Sequence, residues 1–118
     1  MKLIGLSGAA GAGKDTVANM VLKHVSGHAV AFADPLRCAA AEAFGLSIQQ
    51  MTDRELKEAA IEPWGKSPRE ILQLLGTECF RDVFGVDHWC KRADITLSQL
   101  IELDKREEFA SDVCVWTD

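Results

Sequence analysis

Residues 8 to 14, Gly8-Ala9-Ala10-Gly11-Ala12-Gly13-Lys14, follow the pattern G-x-x-x-x-G-K, and what flanks them restricts the fold more than any other feature of the chain. Ahead of this turn, Lys2-Leu3-Ile4-Gly5-Leu6 is a short apolar run without polar alternation, the pattern of a strand covered on both faces in a parallel sheet. Behind it, Val17, Ala18, Val21, Leu22 and Val25 recur at helical spacing between Asp15 and Ser26, and Gly27 supplies a stop. A glycine-rich turn in that position can wrap a polyanion. Several backbone N–H groups point inward, the helix N-terminus adds a partial positive charge, and Lys14 adds a full one. Gly8, Gly11, Ala12, Gly13, Lys14, Asp15 and Thr16 are therefore the expected cradle for the phosphates of ATP, with Lys14 reaching the β and γ phosphates. The plainer alternative is a flexible Gly/Ala turn with an exposed lysine.

Asp15 stands where this pattern ordinarily has a Ser or Thr that binds Mg²⁺, and Thr16 follows one place later. A carboxylate beside a triphosphate is repelled unless a metal ion, its water or a substrate hydroxyl lies between them. Asp15 and Thr16 are thus candidate metal-site residues, with Asp15 facing metal-bound water or the acceptor. A first-turn helix acid is the other reading of Asp15.

Further along, His28 to Ala33 reads as a second buried strand, and Asp34-Pro35 opens a helix that runs to about Phe44. Thr52 and Glu55 are spaced as a capping box, and Glu62-Pro63-Trp64-Gly65-Lys66 breaks the chain. Ser67-Pro68-Arg69-Glu70 carries a cap, a first-turn proline and an acid three places after the cap, so a helix is expected from there to Phe84. Another is expected from Asp87 to about Arg106, with a weak spot near Asp94 to Thr96 and a solvated charged end from Asp104 to Glu108. Val113 to Trp116 reads as a third buried strand, with Asp118 just past its end as a candidate metal carboxylate. Strands separated by helices imply a parallel sheet with its ligand site at the carboxyl ends of the strands.

The overall balance narrows the partners. A formal net charge of −5 argues against a sequence-independent grip on nucleic acid, which needs a broad basic face. No apolar run approaches a bilayer span and no signal peptide is apparent. The four cysteines lack zinc-ligand spacing, so they are expected as reduced thiols in a cytoplasmic protein. The length of 118 residues suits a single domain, 1–118, divided into a strand-helix-strand part (1–33), a helical acceptor-binding part (34–110) and a final strand (111–118).

Four segments, GLSGAAGAGKDTVA, FADPLR, SPREILQLLGTE and the Trp of DHW, together resemble the bacteriophage-type deoxynucleoside monophosphate kinases in order and spacing. The resemblance implies an α/β fold with a three-layer P-loop NTPase core, nucleoside monophosphate kinase-like. It also implies ATP- and Mg²⁺-dependent transfer of a γ-phosphoryl group to a deoxynucleoside monophosphate, in the host cytoplasm if the gene is viral. Arg69, Gln73, Gly76 and Thr77 fall on one helical face and match the family's acceptor-binding motif. Arg69 can bind phosphate bidentately, Gln73 can pair with a base or sugar edge, and Gly76 leaves a gap for the ligand. A solvated polar stripe with a close helix crossing at Gly76 is the alternative. Asp34 is expected to contact the acceptor or orient Arg37, or to serve as a plain cap. Trp89 is expected as an aromatic wall for a base, or as core. Lys14, Asp15 and Arg69 are the expected catalytic residues.

The family carries five strands and an arginine-bearing lid, whereas this sequence accounts for three strands, so the core is expected to be incomplete after the third. An open edge on the Lys2–Leu6 strand would invite association, which leaves a homodimer open. Two other functions stay in view: a P-loop kinase of another phosphorylated metabolite or coenzyme precursor, and a nucleotide-binding module without turnover.

Overall fold

The computed structural model describes residues 1–9, 12–106 and 112–117. In chain order the elements are β1 (Lys2–Leu6), α1 (Lys14–His24), β2 (Gly27–Ala31), α2 (Asp34–Phe44), α3 (Ile48–Thr52), a 3-10 turn (Leu56–Glu58), α4 (Pro68–Gln73), a π-helical segment (Leu74–Arg81), α5 (Asp82–Phe84), α6 (His88–Arg106) and β3 (Val113–Thr117). The chain is thus α/β, with one three-stranded parallel sheet of order β1-β3-β2. Two compact units divide it: Met1–Ala33 with Arg92–Asp118, and Asp34–Lys91.

The first unit is built on β3. Its pleat sends Val113 and Val115 toward α1, where Ala18 packs on them with Ile4, Leu6, Val21 and Leu22. Cys114 and Trp116 point to the opposite face, in register with Leu3 and Gly5 of β1. There Trp116 meets Phe32 at 5.4 Å between ring centroids, beside a cleft of about 260 Å³ also lined by Ala93 and Leu97 of α6. His28 Nε2 on β2 lies 3.2 Å from Asp104 Oδ1 on α6. Gly27 has no room for a side chain: a Cβ there would stand 2.3 Å from the Val113 carbonyl oxygen. The register sets Leu6 and Ala31 level with Thr117, so all three strands release the chain at the same end of the sheet.

Three expectations change in this unit. β1 is not covered on both faces: among the described residues it pairs only with β3, and Leu3 keeps 57% of its surface exposed. β2 starts at Gly27, and Phe32 past its end is exposed, so only β3 of the strands is nearly fully buried. Asp104 is no solvated helix end; its side chain is 9% exposed and paired with His28.

The second unit has its own core of Ala40, Leu46, Met51 and Ile71 from α2, the segment after it, α3 and α4. Its helix starts are set by local side chains. Ser47 caps α3 reciprocally with Gln50, and Ser67 caps α4 reciprocally with Glu70. The box expected at Thr52 and Glu55 does not form, because Thr52 lies inside α3 and its hydroxyl donates back to the Ile48 carbonyl. Instead Asp53 Oδ1 accepts from Glu55 N (2.9 Å) and Leu56 N (3.0 Å), which starts the 3-10 turn. The helix predicted from Ser67 to Phe84 exists, but residues Leu74–Arg81 are wound as a π-helix. The weak spot expected near Asp94 is absent: α6 is continuous, and the Arg92 guanidinium donates to Thr96 Oγ1 at 2.8 Å.

Candidate functional site

The glycine-rich turn leaves β1 at the strand-exit end of the sheet and closes on itself through Ala12 N donating to the Ala9 carbonyl at 3.0 Å. Gly13 precedes α1 at φ 87° and ψ 24°, a left-handed conformation that side chains with a Cβ resist. Its carbonyl accepts from Val17 N at 3.0 Å, and as the N-cap it offers no side-chain bond to the first turn. A glycine-led start to an eleven-residue helix lets an anion approach the helix N-terminus closely. Lys14 Nζ donates to the Gly8 carbonyl at 2.9 Å, so the ammonium group is drawn back across the turn. Gly8 is close-packed in turn: a Cβ on it would approach the Ala12 methyl to 3.2 Å. Gly11 lies outside the described residues.

Asp15 and Thr16 occupy the exposed first turn of α1. A carboxylate and a hydroxyl there are hard oxygen donors, the kind Mg²⁺ takes together with phosphate oxygens and water. Among the described residues no group of three or more His, Cys, Asp or Glu side chains converges, and Asp118 lies outside them. A phosphate-bound Mg²⁺ ordinarily needs only one or two protein carboxylates, so the donors of α1 suit it.

In the second unit, Arg69 and Gln73 sit on the exposed side of α4 and line a cleft of about 330 Å³ with Lys66, Glu70 and Leu74. Arg69 Nη1 donates to Glu58 Oε1 at 2.6 Å. Gln73 Nε2 donates to Thr77 Oγ1 at 3.1 Å, across the start of the π segment. Gly76 departs from the face expected for it. It is buried, and a Cβ would stand 2.9 Å from Leu36 Cδ2, so the space read as a ligand gap is filled by Leu36. The close-crossing alternative describes this residue. Its carbonyl also accepts the Trp89 indole N–H at 3.0 Å. Trp89 is half-buried, edge-on to Phe80 at 5.3 Å and to His88 at 4.5 Å, so its ring belongs to an aromatic cluster at the end of the π segment. Asp34 is the first residue of α2, and its Oδ1 accepts from Arg37 Nη1 at 3.2 Å, the orienting contact anticipated for that pair.

Three participants were missed in the sequence, and only one of them left a readable trace there. Glu58 reaches Arg69 across 11 positions of irregular chain, a separation with no periodic signature. Asp53 caps the turn that carries Glu58, and the D-x-E-L spacing was the available sign of it. Its carboxyl is held below the ordinary range by the N–H groups of Leu56 and Glu55. Leu36 reveals its place against Gly76 only once α2 and the π segment are packed.

Compared with known proteins, 84 residues of the chain, 70% of its length, are 42% identical to a protein of Acanthamoeba polyphaga mimivirus named "Putative deoxynucleotide monophosphate kinase". The match spans 44% of that protein's length. No family model and no solved structure matches the chain.

Proposed function

We propose that this chain carries the nucleotide-binding part of a deoxynucleoside monophosphate kinase, transferring the γ-phosphoryl group of ATP to a deoxynucleoside 5′-monophosphate to give ADP and the diphosphate. The observation that carries the reading is the glycine-rich turn placed between β1 and an α1 whose N-cap is the left-handed Gly13. The similarity to the mimivirus protein supports a deoxynucleotide acceptor, and the parallel order of the strands is compatible with a P-loop NTPase core.

On this reading the chain works by holding charge rather than by forming a covalent intermediate. The N–H groups that open α1 take phosphate oxygens, and Lys14 exchanges the Gly8 carbonyl for the β and γ phosphates. Asp15 and Thr16 would hold Mg²⁺, with Asp118 a further candidate ligand. When bound, that ion offsets triphosphate charge. Residues 1–33 and 111–118 form the phosphate-binding part, and 34–110 the acceptor part. Arg69 takes the acceptor phosphate as a planar fork, Gln73 and Thr77 present an amide and a hydroxyl to the nucleoside, and Arg37, braced by Asp34, adds positive charge. Trp89, donating to the Gly76 carbonyl, supports the π segment that carries Thr77.

The test is to incubate the chain with Mg-ATP and each of the four deoxynucleoside monophosphates, and to measure ADP and the matching diphosphate. The expected result is diphosphate formation that falls by about tenfold or more in Lys14→Ala, the loss of one charge-assisted contact. Diphosphate formation unchanged by Lys14→Ala, or none with any acceptor, would contradict the proposal.

A further inference from the structure

The cleft beside Arg69 is electrostatically balanced. Lys66 and Arg69 bring two cations to its lining and Glu70 one carboxylate, while Glu58, bonded to Arg69 from outside the lining, adds a second. A phosphate monoester gains little by entering such a cleft unless one carboxylate leaves. Glu70 is committed elsewhere: its Oε1 lies 3.4 Å from Ser67 N and 3.3 Å from Ser67 Oγ as part of the α4 cap. Glu58 is different. Its backbone is fixed by the Asp53-capped 3-10 turn, but its side chain is 50% exposed and pairs with the Arg69 guanidinium, itself 65% exposed.

We propose that Glu58 is a built-in competitor for the acceptor phosphate, pairing with Arg69 in the free protein and swinging out when a phosphate monoester binds. This rests on the reading of Arg69 as the acceptor-phosphate residue. A half-exposed ion pair of this kind contributes at most about 1 kcal/mol, because water screens it and ordering two long side chains costs entropy. A dianionic phosphate gripped by a guanidinium makes stronger, charge-assisted bonds, and it repels a carboxylate left on the same group. Displacement is therefore favourable, at a modest cost in affinity. A neutral nucleoside has no reason to displace Glu58, so the competition acts against weakly charged ligands least and sets a threshold only for phosphate-bearing ones.

The experiment is calorimetric titration of the full chain with each of the four deoxynucleoside monophosphates and, in parallel, with the four parent deoxynucleosides. Glu58→Gln keeps the shape and removes the charge, and Glu58→Ala removes the side chain beyond Cβ. Both variants are expected to bind monophosphates about two- to fivefold more tightly than the wild type, with nucleoside binding unchanged. Equal or weaker monophosphate binding by both variants would overturn the proposal, the latter making Glu58 a brace for Arg69. The underlying site is tested separately by Arg69→Gln. If that variant binds monophosphates as tightly as the wild type, or if the wild type binds none, the acceptor assignment fails and the competition falls with it.

Discussion

On the proposed function, Lys14 would serve both the folded loop and a phosphate ligand. Its ammonium group spans the turn to the Gly8 carbonyl, an acceptor that a phosphate oxygen can replace without loss of hydrogen bonds. Gly13 sets the direction of that side chain by holding the left-handed conformation just before α1. At the centre of the sheet Cys114 behaves in the opposite way. Burial pushes its thiol above the ordinary range, and the nearby Asp104 carboxylate pushes it further. Because the folded value is raised, the stability gained by keeping the thiol neutral is present below the unfolded pKa of about 8.5 and is lost as pH rises through the folded value. Cys38, Cys79 and Cys90 are exposed. Thiol alkylation followed by mass spectrometry at pH 8 should modify those three promptly and Cys114 only after denaturant is added. Equal labelling of all four would mean that β3 is not the buried strand described.

Helix starts are the elements most open to a direct test. Ser67 is buried at 4% exposure and holds the N–H of Glu70 while Glu70 holds its own. Ser67→Ala should lower unfolding free energy by about 1 kcal/mol, measured by urea melting, and Ser67→Asp should retain most of it. An unchanged midpoint in Ser67→Ala would show that packing alone fixes α4. This start was legible in the sequence because cap, proline and acid lie within four consecutive residues, and the Gly8–Lys14 turn was legible for the same local reason. The capping box at Thr52 and Glu55 was misread because Ser47 and Gln50 carry the same spacing five residues earlier, and Leu46 and Met51 on either side of that start are buried in the core. The π winding of Leu74–Arg81 was invisible, since a periodicity argument assumes 3.6 residues per turn and so keeps Gly76 on the face of Arg69. Glu58 was missed because a contact made across a loop leaves no pattern behind.

At the scale of the whole molecule, two cores with separate residues support two sets of candidate site residues, the phosphate cradle in one unit and the Arg69 cleft in the other. The apolar runs predicted three buried strands, yet an apolar pattern does not distinguish a central strand from an edge, and only β3 is flanked on both sides among the described residues. The strand order does fix one functional consequence, because Leu6, Ala31 and Thr117 are level and the glycine-rich turn emerges with them at a single end of the sheet. Backbone amide resonances followed during an ATP titration test whether this turn and the start of α1 hold the phosphates of ATP. Saturable shifts are expected at Gly8, Gly13, Lys14, Asp15 and Thr16, weakened about tenfold or more by Lys14→Ala, with α4 little affected. Amides of the turn that stay unmoved while shifts gather elsewhere, or a titration identical in Lys14→Ala, would contradict that role.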